Sequence, residues 1–249
     1  MPDSGIDTYF KAVAELHRRV LETQRPLLLK VAEKMADTVL AGGRIFVFGT
    51  GHSHMLAEEG YARAGGLMSV VPIFYTALML HESIPLSAKV ERTPGLAADL
   101  LGRSGIKSGE ILFVYSNSGV NHLPVEMALE AKKRGVVTVT VGSIAFAAVA
   151  PLSGIGKRLA DVCDFAIDNG GVPGDGIVSI PGQEWKVGPT STVMGALIWN
   201  ALVVETTYRI QVARGDAPVG VSFNMPGYAE YAKAVAKKQK NFNLAPMHL

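Results

Sequence analysis

Apolar side chains recur at helical spacing over the first part of the chain. Residues 6–41 place them every three or four positions, which is the spacing of a helix that buries one face. Pro26 interrupts this run, so we expect either two helices or one kinked helix. Gly42 and Gly43 end it, since glycine often follows the last turn of a helix. The pattern predicts a helical N-terminal extension over residues 1–41.

Between residues 44 and 168, short apolar runs alternate with amphipathic runs. The first kind predicts buried strands and the second predicts helices. Strands that alternate with helices form right-handed crossovers and therefore a parallel sheet. We predict an α/β fold, a doubly wound parallel sheet flanked by helices, which binds ligands at the carboxyl ends of its strands. The predicted strands are residues 44–49, 69–75, 110–116, 136–143 and an edge strand within 164–171, and the predicted helices are 53–65, 95–105 and 121–135.

The last third of the chain has a different pattern. Residues 169–189 are rich in glycine and proline, and a long apolar run over 190–212 predicts a buried helix. Residues 226–240 predict a basic, amphipathic closing helix whose lysines face solvent. We therefore expect a single domain over residues 1–249, with its core at about 42–212.

Composition narrows the class of protein. Of 249 residues, 48% are hydrophobic and 18% are charged, which is enough for a sizeable core and argues against disorder. Lysine and arginine number 24 against 22 aspartate and glutamate, and this near balance argues against a nucleic-acid partner. A mean hydropathy of +0.24 suggests that some apolar surface is buried in a homo-oligomer.

The cysteine content and the length of the apolar runs indicate the cellular compartment in which we expect the protein. The chain has one cysteine, so it has no internal disulfide framework and fits a reducing compartment. Charges interrupt the apolar positions of the first 20 residues, which is not the pattern of a signal peptide. No apolar run reaches the roughly 20 residues that span a bilayer. We expect a cytoplasmic protein with no membrane partner.

Two predicted strand-to-helix junctions, "GTGHSH" and "SNSGVN", carry glycine and small polar residues. Ser53 and Asn121 stand at the predicted N-caps of the following helices. Free backbone N–H groups at a helix N-terminus favour an anion, and hydroxyl groups add neutral donors, so phosphate could be held without lysine or arginine. Either junction alone is equally consistent with an ordinary capped turn. The candidate ligands are Gly51, His52, Ser53, Ser116, Asn117, Ser118, Gly119 and Asn121.

The segments "FGTGHSHMLAEE", "VYSNSGVNHLPVEMALEAKKRGVVTVTVG" and "GPTSTVMGALIWNALVVE" resemble those of sugar isomerase (SIS) domain proteins, over about residues 30–210. The chain is similar in length to stand-alone bacterial SIS proteins that resemble phosphoheptose isomerases. The resemblance implies a five-stranded parallel sheet, a dimer or tetramer, and phosphosugar binding. Asn121 departs from the family pattern, which usually has threonine there. By resemblance, the sugar-phosphate positions are Ser53, Ser116, Ser118 and Gly119.

Aldose–ketose isomerisation moves a proton between adjacent carbons and needs a base and an acid, often Glu and His. Glu58 lies four residues after His54, so the two share a helix face as a site pair or a surface pair. His81 and Glu82 lie within residues 76–95, which show no clear periodicity. The catalytic candidates are therefore Glu82, His81 and Glu58.

Further polar residues precede the long apolar helix. The stretch "QEWKVGPTST" resembles a region of the SIS etherases that act on amino-sugar phosphates. Lys186 is either a ligand of a phosphate or carboxylate, or an exposed loop lysine. Thr190 and Ser191 could add hydroxyl donors, although capping alone explains one of them.

No group of His, Glu and Asp has convincing metal spacing, so we expect neither a metal nor a cofactor. The function that the resemblance favours is phosphosugar binding with aldose–ketose isomerisation. Two alternatives stay open, a non-catalytic phosphosugar sensor and a lyase or etherase acting on amino-sugar phosphates.

Overall fold

A computed structural model describes residues 4–238 and 241–244 of the protein. The N-terminal extension is one continuous helix, α1 (Gly5–Leu40), so of the two expected forms, two helices or one kinked helix, the structure excludes the first. Ser4 and Asp7 form a reciprocal capping box at its start. Pro26 removes one backbone hydrogen bond, but the helix continues because its second half is anchored by buried side chains such as Val31 and Met35.

The remaining elements alternate through the middle of the chain. The strands are β1 (Ile45–Gly49), β2 (Val70–Pro72), β3 (Ile111–Tyr115), β4 (Val137–Gly142), β5 (Phe165–Asp168), β6 (Gly176–Val178) and β7 (Val187–Pro189). The helices after α1 are α2 (His54–Gly60), α3 (Ile84–Val90), α4 (Leu96–Ser104), α5 (His122–Lys133), α6 (Ile144–Val149), α7 (Leu159–Val162), α8 (Ser191–Arg214) and α9 (Tyr228–Lys238).

Five strands form one parallel sheet in the order β2-β1-β3-β4-β5, which confirms the predicted α/β fold. Every residue of β1 and β3 is buried, as expected for strands covered on both faces. One apolar core lies between the sheet and α1 and α8, around Trp199 and Phe113. The other lies between the sheet and α4 and α5, around Phe46 and Phe48. Because β1 and β3 are neighbours, the loops that follow them lie side by side at the carboxyl edge.

Several predicted bounds differ from the structure. The second strand and the helix that follows the first strand are both shorter than predicted. β2 ends at Pro72, and α2 ends at Gly60. The aperiodic stretch 76–95 contains a 3₁₀ turn and α3. The glycine-rich stretch 169–189 contains a hairpin of β6 and β7. The closing helix is observed over Tyr228–Lys238, and residues 239 and 240 of its predicted range lie outside the described residues.

In the described part of the chain, no helix combines the length and the apolar character that crossing a membrane requires.

Candidate functional site

Loop 1 (residues 50–53) follows β1, and loop 2 (residues 116–121) follows β3. Each loop passes so close to the end of a strand that only glycine, which has no Cβ atom, fits at that position. A Cβ atom on Gly49 would collide with the carbonyl oxygen of Ser53, and one on Gly142 would collide with that of Ser116. Gly119 allows loop 2 to turn, with a φ of +61°. Small residues at the strand ends therefore let both loops lie over the sheet edge.

Hydrogen bonds within loop 2 set its shape. The buried hydroxyl oxygen of Ser116 accepts from the backbone N–H of Gly119 at 3.2 Å. The backbone carbonyl of Asn117 accepts from the N–H of Ser143, at the start of α6, at 2.9 Å. The side-chain oxygen of Asn117 accepts from Nδ2 of Asn169 at 3.0 Å. Loop 2 is thus held from both sides, while Ser118 remains half-buried at its outer surface.

The predicted N-caps do not act as caps through their side chains. Ser53 precedes α2, but its hydroxyl group makes no capping hydrogen bond, because residues 51–53 form a 3₁₀ turn that leads directly into the helix. Asn121 stands at the N-cap position of α5, but its amide group caps no helical N–H. Its Nδ2 atom instead donates to Oε1 of Glu91. The cap prediction was right about position and wrong about the side-chain bond at both residues.

An open groove of about 770 Å³ lies beside loop 2. Ser118, Asn121 and His122 form its polar side, together with Arg92. Phe146 and the turn after α6 form its apolar side. The groove is large enough for a small phosphorylated metabolite, and it brings two of the predicted ligands, Ser118 and Asn121, to one wall.

A second, much smaller cavity lies where loop 1, loop 2, the end of β5 and the start of α8 meet. Its polar lining residues are Ser53, Tyr115, Asn117, Asn169, Ser191 and Thr192. Burial raises the pKa of Tyr115, and the nearby charge of Glu59 adds to the effect. The hydroxyl group of Tyr115 has no hydrogen-bond partner within the described residues. This cavity brings together Ser53, Asn117 and Ser191, which the sequence had placed on three separate segments.

At the start of α8, Thr190 and Ser191 already donate hydrogen bonds to a carboxylate of the chain. Oδ1 of Asp175 accepts from the backbone N–H groups of Thr190 at 3.0 Å and Ser191 at 2.9 Å. The hydroxyl group of Ser191 donates to Oδ2 of Asp175 at 2.6 Å. Asp175 reaches them from the turn before β6, with a φ of +68°. The positive end of α8 is therefore neutralised from within the chain.

Only the histidine of the predicted histidine–glutamate pair on α2 is buried. His54 is buried, 4% exposed, and its ring packs against Phe74 with centroids 4.9 Å apart. Burial lowers the pKa of His54, and the opposing effect of Glu58 is smaller. The two side chains lie 3.2 Å apart, Nε2 to Oε1, without the geometry of a hydrogen bond. Glu58 itself is largely exposed.

The other predicted residues lie at the surface. His52, His81, Glu82 and Lys186 are exposed, and none of them lines the groove or the small cavity. Lys186 precedes β7 in the hairpin, next to the exposed Trp185. Within residues 4–238 and 241–244, no three His, Cys, Asp or Glu side chains are grouped so as to hold a metal ion.

Sequence analysis missed Glu91, Asn169 and Asp175. Glu91 follows α3 and bonds to loop 2, Asn169 follows β5 and bonds to loop 2, and Asp175 bonds to the start of α8. Asn169 carried a usable signal, because polar residues after a parallel strand lie at the ligand-binding edge. Glu91 and Asp175 carried none, since their partners lie 30 and 16 residues away along the chain.

Comparisons with known proteins agree with this architecture. The model of the SIS domain matches residues 8–143. A UPF0309 protein from Brucella anthropi is 38% identical over 219 residues, covering 87% of this chain and 88% of the relative. A UPF0309 protein from Shouchella clausii is 34% identical over 240 residues, covering 96% of this chain and 98% of the relative.

Two solved structures share the fold at low identity. Phosphoheptose isomerase GmhA from Neisseria gonorrhoeae superposes with a TM-score of 0.52 at 15% identity, covering 82% of this chain and 97% of that one. The Vibrio vulnificus NanR protein, solved in complex with ManNAc-6P, gives a TM-score of 0.52 at 17% identity, covering 96% of this chain and 69% of that one.

Proposed function

The chain belongs to the SIS-domain family, and on that premise we propose that it binds a phosphorylated sugar and interconverts its aldose and ketose forms. One observation carries the proposal. Loop 1 and loop 2 lie side by side at the carboxyl edge of the sheet, and loop 2 forms the wall of a groove of about 770 Å³. Their donors are neutral hydroxyl and amide groups, which suit a phosphate group at a helix N-terminus.

The phosphate belongs on loop 2 in this proposal. Ser118 lines the groove, and Gly119 and Asn121 lead into α5, whose N-terminal N–H groups favour an anion. Ser116 and Asn117 hold the loop in shape, so their contribution is mainly to position its backbone donors. Loop 1, with Gly51, His52 and Ser53, lies on the neighbouring strand, where the rest of the sugar would extend.

Three further ligand candidates are less well placed for a phosphate. Thr190 and Ser191 donate to Asp175, so a phosphate would have to displace a carboxylate that is part of the chain. Lys186 is exposed in the hairpin and would have to approach the groove from outside. We propose that these residues lie outside the phosphate site, and that Thr190 and Ser191 serve mainly to hold Asp175.

Proton transfer between adjacent carbons needs no redox cofactor, and we propose none. From the sequence, the candidates for the acid and the base are Glu58, His81 and Glu82. All three are exposed, and none of them lines the groove or the small cavity.

Phosphosugar binding without catalysis is the second candidate. It is favoured by the likeness in fold to NanR, which was solved with ManNAc-6P bound. Action as a lyase or etherase on an amino-sugar phosphate is the third, and it rests on the stretch around Lys186 alone.

Calorimetric titration tests the binding part of the proposal. D-Ribulose 5-phosphate, D-fructose 6-phosphate and D-sedoheptulose 7-phosphate are each compared with inorganic phosphate and with unphosphorylated D-fructose. We expect at least one sugar phosphate to bind at least tenfold more tightly than both controls, since sugar and phosphate contacts add. If the protein binds none of the three more tightly than inorganic phosphate, the proposal is wrong.

We also propose that the protein acts in the cytoplasm as a homo-oligomer, a dimer or a tetramer. The outer face of α8 supports association, because Val204, Tyr208 and Val212 recur at helical spacing and are 70%, 65% and 70% exposed. Such a stripe on one helix is typical of an interface. Light scattering of wild type and Val204→Asp tests it: wild type should be oligomeric, and the variant should shift toward monomer. A monomeric wild type would contradict it.

A further inference from the structure

A pocket of about 100 Å³ lies at the other edge of the sheet from loop 1 and loop 2. Residues 61–68, between α2 and β2, line one side of it, and residues 220–231 line the other. Leu67 and Met68 come just before β2, and the strands are parallel, so the pocket lies at the amino edge of the sheet. It is therefore separate from the groove and from the small cavity, and the proposed function does not use it.

The backbone holds the two sides of this pocket together. The N–H of Gly65 donates to the carbonyl of Gly220 at 2.9 Å, and the N–H of Gly220 donates to the carbonyl of Gly66 at 2.8 Å. A Cβ atom on Gly220 would lie 2.6 Å from the carbonyl oxygen of Arg63, so only glycine fits there. Ala62, which also lines the pocket, has a φ of +48°. Such a conformation persists in a residue other than glycine only where the surrounding structure enforces it, so the pocket has a fixed shape.

Aromatic rings form the side of the pocket that belongs to residues 220–231. The rings of Phe223 and Tyr228 have centroids 4.9 Å apart and are tilted by 57°, and those of Tyr228 and Tyr231 have centroids 6.2 Å apart. The hydroxyl group of Tyr231 donates to the backbone carbonyl of Val219, which fixes its ring. Rings tilted in this way favour a further ring placed edge to face or offset. An apolar cavity of about 150 Å³ holds a benzene molecule. This pocket, at which Phe223 is 70% exposed, therefore admits one six-membered ring.

Arg63 brings a positive charge to the pocket. It is the one charged residue among the described residues that line it. Its Nη1 atom donates to Oε2 of Glu59, and Oε1 of Glu59 accepts from Nδ2 of Asn200 at 2.9 Å. The side chain of Arg63 is half exposed. Because a guanidinium group has five N–H donors, Arg63 can bind a second carboxylate while Glu59 holds it in position.

We propose that this pocket is a binding site for a small aromatic carboxylate, independent of the phosphosugar site. The ring of the ligand packs against Phe223 and Tyr228, and its carboxylate accepts hydrogen bonds from Arg63. A pocket that is mostly apolar, with one charged group to orient the ligand, is typical of small-molecule sites.

Titration followed by NMR tests the site on the full chain. Benzoate and phenylacetate are compared with benzyl alcohol, which keeps the ring without the charge, and with acetate, which keeps the charge without the ring. We expect at least one aromatic carboxylate to bind at least about tenfold more tightly than both controls, because ring burial and a charge-assisted hydrogen bond add. Arg63→Met keeps the apolar stem of the side chain. It should weaken the binding of that carboxylate at least about tenfold and leave benzyl alcohol within about twofold.

Two further variants serve as controls. Arg209→Met is the matched one, because Arg209 also pairs with a glutamate four residues earlier on its helix, Glu205, at 2.7 Å, and does not line the pocket. It should leave the Kd within about twofold of wild type. Phe223→Ala removes an exposed ring and keeps Arg63, so it should weaken benzyl alcohol and the carboxylate alike, at least about threefold. This variant tests the pocket even if Arg63→Met does not fold.

The outcomes that overturn the proposal are distinct. It is overturned if wild type binds neither aromatic carboxylate more tightly than the two control compounds, if Arg63→Met and Arg209→Met lose equal affinity, or if Phe223→Ala loses none. If wild type binds no carboxylate and Phe223→Ala shifts toward monomer in light scattering, the pocket is instead an interface between copies of the chain. None of these results bears on phosphosugar binding, which is tested at the carboxyl edge of the sheet.

Discussion

The N-termini of α5 and α8 have similar sequences and different surroundings. Both helices follow a strand at a turn that contains glycine or proline and small polar residues, "SNSGVN" before α5 and "VGPTST" before α8. In α8 the first N–H groups and the hydroxyl group of Ser191 are bonded to Asp175. In α5 the N-cap residue Asn121 turns its amide away toward Glu91, and Ser118 faces a groove.

The difference shows what decides whether a helix N-terminus is free for a ligand. Both ends carry partial positive charge and hydroxyl donors, which favour an anion. The chain provides a carboxylate for the start of α8, whereas the N–H of Leu123 in the first turn of α5 donates to a neutral backbone carbonyl, that of Glu91, and Ser118 faces a groove. The charge of the acceptor that a distant segment supplies, and not the local sequence, therefore distinguishes the capped end of α8 from the candidate binding site at α5. The predictions below test this distinction, from the largest expected effect to the smallest.

Replacing Gly142 by alanine should have the largest effect. The new Cβ atom would collide with the carbonyl oxygen of Ser116, so loop 2 would have to move away from β4. We expect a loss of roughly 3 kcal/mol in the free energy of unfolding, the upper part of the usual range for point mutations. Urea denaturation measures it, and sugar-phosphate affinity should fall at the same time.

Gly154→Ala is the matched control, because a Cβ atom at Gly154 would meet nothing within 4 Å. Its free energy of unfolding should lie within about 0.5 kcal/mol of wild type. Equal stabilities of the two variants would contradict the close approach of loop 2 to β4.

Ser118→Ala and Ser191→Ala compare the two helix ends directly. If Ser118 donates one hydrogen bond to a phosphate, its loss should cost about 1–2 kcal/mol of binding free energy, between fivefold and thirtyfold in Kd. Ser191 already donates to Asp175 at 2.6 Å, so its loss should change Kd by less than about twofold. Calorimetry with the best-bound sugar phosphate measures both. Equal losses in the two variants would remove the distinction between the helix ends.

Removing the carboxylate of Asp175, which caps the start of α8, should have a smaller effect. Asp175→Ala leaves the N–H groups of Thr190 and Ser191 without their acceptor, so we expect a loss of about 1 kcal/mol in the free energy of unfolding. Asp37→Ala removes an exposed carboxylate near the end of α1, and should be neutral within about 0.5 kcal/mol. Both are measured by urea denaturation. A stability unchanged in Asp175→Ala would show that solvent satisfies the start of α8 equally well.

The sequence predicted the sheet well because its strands carry a strong local signal. Phe46, Phe48 and Phe113 lie in continuous apolar runs, and each run is followed by an amphipathic helix. The hairpin of β6 and β7 was not predicted, since its strands have three residues each and alternate weakly. The local pattern of apolar and polar residues therefore predicted the elements that bury the most apolar surface.

The candidate site was only partly predictable for a related reason. The positions of Ser118 and Asn121 follow from the ends of a strand and a helix, which are local features. The hydrogen-bond partners of residues at the helix ends do not follow from local features. Asn121 bonds to Glu91, and Ser191 bonds to Asp175, across 30 and 16 residues of chain. Which donors are free is a property of tertiary structure, and one sequence gives no pattern for it.

The smallest expected effect concerns His54, the first residue of α2 after loop 1. Burial lowers the pKa of His54 in the folded protein, whereas in the unfolded chain it has its ordinary value of about 6.5. The unfolded state therefore binds more protons as the pH falls through that value, and the folded state loses stability. Urea denaturation at pH 7.5 and pH 5.5 should show a loss that His54→Gln lacks, by less than about 1 kcal/mol because Glu58 opposes the shift. Other groups titrate in both proteins, so the comparison is between the two pH dependences. An identical pH dependence in His54→Gln would show that His54 can be protonated in place, and that the start of α2 accommodates charge more readily than its burial indicates.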